Sequence, residues 1–525
     1  MFLMRAALLC GDWNDNVKRS LSSQTSTFPV TVLLLVLLGF SFFAHYHLVS
    51  YADDDAYIHM RVARNLWESA APYFNVGEPV MASTSPLWIV ATAPAAVAGA
   101  NQPLVIAVSN SCLLVGAAYV WGLLYIHLIH SRRVRDLVCA SGIALFTMLP
   151  ASVGLMETPL AMLLVGSGVL GVVQSKRWGL PLLCASVFVR PECVLFSLAA
   201  VAWKVVRRSS WTVSEVALSA GVVALLAGFQ LHFYDSLYPH TARAKELVYQ
   251  ITGSEFVRLL SNGSYGDWIA RSILPYVVVA VIVLCLVATF RLKRFTPTTL
   301  VQSVRENPLL IVLLPALGIL AAYSIKRVLV FPWYAPLFLV PIHLTLLWGA
   351  THAALWGRLL AVTLMLPFIA MSVELAWGSK HFGALPFFEA GARARKLKHI
   401  GEWLALEHPH SKVLAPEIGA LGFSFPGKID DAVGLASPKA LQFHPLKVPE
   451  QRPTGFHGGV PAALVERDRP DVIVALDVFM TDFLKSKVSA SYEVRQVPPL
   501  LEEDRARLGD GKVFGGEHLL IAVRK

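Results

Sequence analysis

Charge is what this chain has least of for its size. Asp, Glu, Lys and Arg make up 15% of its 525 residues, while 55% are hydrophobic and the mean hydropathy is +0.57. Soluble domains carry about a quarter charged residues, so a water-facing surface along the whole chain is excluded and lipid is the implied solvent. Cysteine is sparse too. The six (Cys10, Cys112, Cys139, Cys184, Cys193 and Cys285) lie at the N-terminus or within apolar runs, with no CxxC pair. That spacing argues against a zinc site and against a disulfide framework. Internal repeats and low-complexity tracts are missing, which removes solenoid architectures. The net charge of +10 falls between apolar runs, in the manner of the Lys/Arg excess of cytoplasmic loops. No basic patch is interleaved with aromatics, so no nucleic-acid partner is expected.

What is present is a series of long apolar runs. A membrane crossing needs about twenty apolar residues, and cytoplasmic ends carry Lys/Arg, so length and charge together thread the chain. Lys18 and Arg19 place the N-terminus inside, and Phe28 to Val49 is longer than a signal-peptide core and reads as a signal anchor. Residues 51–103 then form a first external loop. Within it the short Pro86 to Gly99 run is expected to lie on the outer interface, while Leu104 to His127 returns to Arg132, Arg133 and Arg135. Further crossings are expected at Leu137 to Val153, Pro159 to Val173, a broken pair around Arg190, Val213 to Phe233, Ile273 to Phe290, Leu309 to Ile325, Ala335 to Ala350 and Leu359 to Trp377. The expected architecture is a polytopic α-helical membrane domain over 1–377 with about eleven spans, followed by an extracytoplasmic α/β domain over 378–525. Helical patterning at Phe387 to Leu406 and β-like runs at Val413 to Ala415, Val472 to Ala475 and Leu519 to Val523 carry the second part.

The most informative segment begins YADDDAYIHMRVARNL at Tyr51. Three adjacent carboxylates stand at the outer face ahead of a stripe of Ile58, Val62 and Leu66, with His59, Arg61, Arg64 and Asn65 elsewhere, so this helix is expected to lie flat on the interface. One carboxylate, Asp55, would serve as a helix cap. A cap needs one residue, and three neighbouring carboxylates repel, which raises at least one of them toward general-base range. Cations outside the membrane break the charge rule and ask for a reason: Lys326 and Arg327 at one helix end, Arg243 and Lys245 in YPHTARAK. Arg190 sits in a hairpin of undersized helices, either paired with Glu192 or Glu157 or lining a pocket. A base beside such cations suits transfer from a phosphate-linked donor, whose phosphate leaves without an acid. His45, His47 and His59 neighbour the acidic cluster without a known ligand pattern. No metal is assigned, and a divalent cation is left open.

The segments DDAYIHMRVARNL, FNVGEPV, TSPLW, GLMETPL, RPE, LYPHTARAK, FPWYAP, EIGALGF and DDAVGL recur in order along most of the chain. In them it resembles the membrane-integral GT-C glycosyltransferases, most closely the group of mycobacterial terminal arabinofuranosyltransferases. The resemblance implies a GT-C fold and inverting transfer from a polyprenyl-phosphate sugar of decaprenyl or undecaprenyl type to a glycan, glycolipid or glycoprotein hydroxyl of the cell envelope. The reaction would take place at the outer face of a bacterial inner membrane, with arabinofuranose the leading sugar. It puts the acidic base on Asp54 with Asp55 beside it, Asp53 being an extra acid. The exceptional cations Arg190, Lys245, Lys326, Arg327 and Arg243 are the candidates for the donor phosphate, and Glu157, Glu192, Tyr57, His59, His240, Trp333 and Tyr334 those for substrate. Two other classes stay in view, a transporter or flippase of lipid-linked sugars and a non-catalytic envelope-assembly protein. The external acidic turn favours interfacial chemistry over alternating access.

Overall fold

The computed structural model describes residues 28–249, 309–326, 331–352, scattered positions between 366 and 377, 385–447, 456–509, 513 and 515–525. The expected crossing at Ile273 to Phe290, most of that at Leu359 to Trp377, and Arg327 lie outside the described residues.

Helix α1, Phe28–Leu48, is apolar apart from Thr31, Ser41, His45 and His47 and ends in a 3-10 turn, Val49–Tyr51. Asp53 then caps α2, Asp54–Ser69, its side chain accepting the Asp55 N–H. The cap is therefore Asp53 and not Asp55: the chain is still extended at Asp53 (φ −69°, ψ 153°) and already helical at Asp54. The Pro86 to Gly99 run folds as α3, Pro86–Thr92, and a 3-10 stretch, Ala93–Asn101, bent at Gly99 (φ 55°, ψ −120°) before α4, Gln102–Leu128. Helices α5 (Val134–Ser152), α6 (Thr158–Val173), α7 (Gly179–Val187), α8 (Val194–Val206), α9 (Val213–Tyr234) and α10 (His240–Val248) follow, then α11 (Leu310–Lys326) and α12 (Pro336–His352).

Among the described residues, four stretches are long and apolar enough to cross a membrane: Val30–Tyr51, Pro86–Leu128, Val134–Ser152 and Val213–Tyr234. Thr158–Val173, Leu310–Tyr323 and Pro336–Trp348 are apolar but shorter. Helix α4 is the hub, packed against α1, α5 and α6. Where α6 meets α7 the backbones touch: a Cβ on Gly171 would stand 2.7 Å from Gly179 Cα. Small residues let apolar helices approach closely where no hydrophobic force drives them together.

The C-terminal residues form α13 (Leu385–Glu407), α14 (Gly419–Ser424), α15 (Ala462–Asp468), α16 (Glu502–Leu508) and a five-stranded sheet. The strands are β1 (Val413–Ala415), β2 (Ile429–Asp431), β3 (Val472–Leu476), β4 (Tyr492–Val497) and β5 (Leu519–Arg524), ordered β2-β1-β3-β5-β4. Strands β2, β1 and β3 run parallel, while β5 lies antiparallel to β3 and β4. The DDAVGL segment organises the exit from β2. Asp431 accepts the Val433 N–H at 2.8 Å and the Ala436 N–H at 2.7 Å, and burial pushes its carboxyl up to about 6.

The polar face of α2 does not meet water as expected; it lies under α14. Arg61, 7% exposed, donates to the carbonyls of Gly422 (2.5 Å), Phe425 (2.8 Å) and Gly427 (2.9 Å) and to Phe74 O (2.7 Å). Arg64 lies 4.3 Å over the Phe423 ring. At the other end of α14 the Asp54 carboxylate accepts the N–H groups of Gly419 (3.0 Å) and Ala420 (2.8 Å). Two residues two turns apart on α2 thus place an anion on the N-terminus of α14 and a cation on its C-terminus, matching its dipole at both ends. The approach requires Gly419, because a Cβ there would lie 1.8 Å from Asp54 O. A Gly419→Ala change is expected to destabilise this contact by about 1 to 3 kcal/mol, read as earlier release of the C-terminal unit in limited proteolysis. One apolar core runs through the contact, joining Tyr57, Met60 and Trp88 to Leu397, Leu414 and Leu421.

Candidate active site

The acidic turn Asp53–Asp55 divides by environment. Asp53 sits beneath the turn, its N–H donating to Gly154 O at 3.2 Å. Burial, then the neighbouring Asp55 charge, push its carboxyl up to about 7. Asp54, 9% exposed, has both oxygens engaged by the α14 backbone. Burial raises its pKa too, against the opposing pull of those N–H groups and Arg393. Asp55 keeps a 29% exposed side chain, with Oδ2 3.6 Å from Lys245 Nζ, itself 28% exposed. Asp53 and Asp55 are both partly exposed, and Asp55 stands in an ion pair with Lys245.

Lys245 comes from α10, where it also contacts Tyr334 Oη at 3.4 Å and lies 5.2 Å over the Phe331 ring. Tyr334 links Lys245 to a buried cluster, its ring 4.0 Å from the Arg190 guanidinium. Arg190, 3% exposed, donates to Glu157 Oε1 and Glu192 Oε1, both at 2.8 Å, and Tyr323 donates to the same Glu192 oxygen. Glu157 is 1% exposed, and its other oxygen stands 3.8 Å from His59 Nδ1. Burial holds His59 below its ordinary pKa, so at neutral pH it is uncharged. Of the two readings of Arg190, the geometry shows the pairing, and with both glutamates at once. As a donor-phosphate ligand it is weakened, because one guanidinium against two carboxylates leaves a net negative charge.

The other sequence candidates scatter. Tyr57, 2% exposed, packs 5.2 Å from Phe423 in the core under α14, so it offers no face to a sugar. Trp333, 5% exposed, stacks 4.7 Å on Phe331, and its carbonyl accepts from Thr158 Oγ1 at 2.8 Å. His240 opens α10 partly buried, with Nδ1 lacking a hydrogen-bond partner and its pKa lowered by burial. Arg243 is exposed on α10, two residues from Lys245 and so on a different face. Lys326 closes α11, and its side chain, like Arg327, lies outside the described residues. Among the described residues no group of three or more His, Cys, Asp and Glu gathers as metal ligands.

Two residues the sequence reading passed over complete the back of the acidic turn. Arg393 on α13 pairs with Glu417 at 2.5 Å, and Glu417 lies two residues before Gly419, whose N–H holds Asp54. Burial pushes Glu417 up to about 7, opposed by Arg393 and reinforced by Asp54. Glu417 opens the EIGALGF segment, which was the available signal, whereas Arg393 was hidden in the basic run of a helix. Asp53 and Glu417 both hold protons more tightly folded than unfolded, so their contribution to stability is full below about pH 4 and is lost as pH rises toward 7. The unfolding midpoint is expected to fall between about pH 4 and 7, and the slope to flatten in an Asp53→Asn, Glu417→Gln pair followed by thermal denaturation.

No protein-family model matches the chain, and no solved structure matches it. A terminal beta-(1->2)-arabinofuranosyltransferase of Corynebacterium glutamicum is 27% identical over 296 residues, covering 48% of this chain and 42% of the relative. The match spans less than half the length of that relative. It relates this chain distantly to a glycosyltransferase, and with the apolar helices it supports a membrane protein.

Proposed function

We propose that this chain is an inverting, polyprenyl-phosphate-sugar-dependent glycosyltransferase of GT-C architecture, with Asp55 as general base and Lys245 at the leaving phosphate. The observation that carries the reading is the Asp55–Lys245 pair at 3.6 Å, a partly exposed acid and cation at the head of α2. The acceptor hydroxyl gives its proton to Asp55 as its oxygen bonds to the anomeric carbon. Donor and acceptor enter between Asp55 and Lys245 and part the pair; the bond from that carbon to the phosphate oxygen then breaks on the face away from Asp55, and the electron pair leaves with the phosphate, whose charge Lys245 meets. A single displacement inverts the anomeric centre. Asp54 is assigned a positioning role, since its oxygens hold the α14 backbone. The acidic turn is placed on the extracytoplasmic side, with the N-terminus cytoplasmic, the C-terminal unit periplasmic and about eleven spans in the whole chain. Arabinofuranose is the proposed sugar and a cell-envelope glycan hydroxyl the proposed acceptor. The test is transfer by the full chain in nanodiscs from a prenyl-phosphoryl arabinofuranose to a synthetic arabinoside, with the product linkage read by NMR. An inverted linkage is expected; retention or no transfer overturns the proposal.

A further inference from the structure

The buried cluster behind Tyr334 has more hydrogen-bonding capacity than its own side chains use. Glu157 Oε2, Glu192 Oε2, Arg190 Nε and His59 Nδ1 are all buried without a hydrogen-bond partner. Leaving such atoms unpaired costs about 1 to 3 kcal/mol each, so the guanidinium's own Nε and the three atoms around it, of which Glu157 Oε2 and His59 Nδ1 face each other at 3.8 Å, point to a polar ligand that completes them. Charge narrows the class. One guanidinium against two carboxylates is net negative with His59 neutral, which disfavours an anion and favours a neutral molecule rich in O–H donors. The Tyr334 ring covers Arg190 at 4.0 Å while its hydroxyl reaches Lys245 at 3.4 Å, so Lys245 and the carboxylate cluster are one side chain apart. A glycosyl phosphate has the same polarity, an anion joined to a neutral polyol.

We infer that Glu157, Glu192, Arg190 and His59 form a subsite for sugar hydroxyls, by which the chain distinguishes a glycosylated carrier from the bare phosphate carrier. This rests on the transferase reading and adds a direction to it. Before transfer the donor is held at both ends. Afterwards the carrier keeps only its phosphate contact with Lys245, so loss of the sugar weakens its hold and promotes its release. Glu157 is positioned for this by the turn between α5 and α6, whose Gly154 carbonyl takes the Asp53 N–H at 3.2 Å and whose Met156 carbonyl takes an Asn110 N–H at 3.2 Å.

Equilibrium binding of a short-chain prenyl phosphate and the matching prenyl-phosphoryl arabinofuranose to the full chain in nanodiscs tests this. Hydrogen bonds to charged groups predict that wild type prefers the glycosylated carrier about ten- to hundred-fold. Glu157→Gln and Glu192→Gln should bring the ratio toward unity while binding of the bare phosphate stays within about two-fold, since neither removes Lys245. Equal affinity of wild type for the two carriers overturns the subsite and leaves the transferase reading standing. Equal weakening of both carriers in the Gln variants also overturns it, by making the cluster a phosphate clamp. Binding of neither carrier to wild type overturns both. The wild-type comparison does not depend on any variant folding.

Discussion

Replacing Asp55 with asparagine is expected to lower sugar transfer by about 10²- to 10⁴-fold while leaving the unfolding midpoint nearly unchanged. Asn is isosteric and Asp55 is neither buried nor engaged by another element's backbone, so beyond proton acceptance the change removes a partly exposed ion pair with Lys245, worth about 0 to 1 kcal/mol. The neighbouring Asp54→Asn change should behave differently. Its carboxylate accepts two backbone N–H groups at 3.0 and 2.8 Å at the start of α14, and an amide can accept with only one of its two atoms. The loss is expected to be about 1 to 2 kcal/mol of stability, with activity falling in step with the folded fraction. Side-by-side transfer assays and thermal melts of the two variants separate base from strut. A stable but inactive Asp54→Asn beside an active Asp55→Asn would move the base to Asp54 and reverse the assignment.

The acidic turn could be found from sequence because three carboxylates at the end of an apolar helix are rare, whatever they touch. Which one is free could not, because that depends on α14, some 365 residues later in the chain. Hydropathy located the apolar helices α1, α4, α5 and α9, which among the described residues are those long enough for a bilayer. The strand runs at Val413, Val472 and Leu519 were legible as short β-branched segments, and they became β1, β3 and β5. The strand β2 was not, since Ile429–Asp431 carries two acids whose burial is compensated by turn amides and lysines that a strand pattern does not show. Asp431 by the turn amides that follow it, and Asp430 by Lys412 and Lys439, supply that compensation. Charge-rule exceptions pointed to Lys245, which does meet the acidic turn, and equally to Arg243, which is exposed. The rule reports side of membrane and carries no information about helix face.

The α2 helix shows how a correct periodicity leads to a wrong environment, and its largest consequence falls on Arg61. An amphipathic helix at a membrane interface and one beneath a second domain have the same sequence pattern, because both place polar groups opposite an apolar stripe. They differ in what the polar groups bond. Here the Arg61 guanidinium lies 4.5 Å over the Phe74 ring and reaches the Phe74, Gly422, Phe425 and Gly427 carbonyls, so it closes the C-terminal end of α14 and the loop after it together. An Arg61→Ala change leaves those buried acceptors unpaired and opens a cavity beside Phe74. With about 1 to 3 kcal/mol for each stranded group and strong non-additivity, the expected loss is about 3 kcal/mol or more, enough to undock the C-terminal unit. Lysine should rescue little, because a point-like ammonium cannot span carbonyls that a planar fork bridges. Thermal denaturation and trypsin release of the C-terminal unit measure it. An Arg61→Ala chain that melts and resists trypsin like wild type would mean that α14 does not hold α2 in the membrane-embedded protein. The reason for taking Asp54 out of the chemistry would then go with it, since the same docked helix engages both residues.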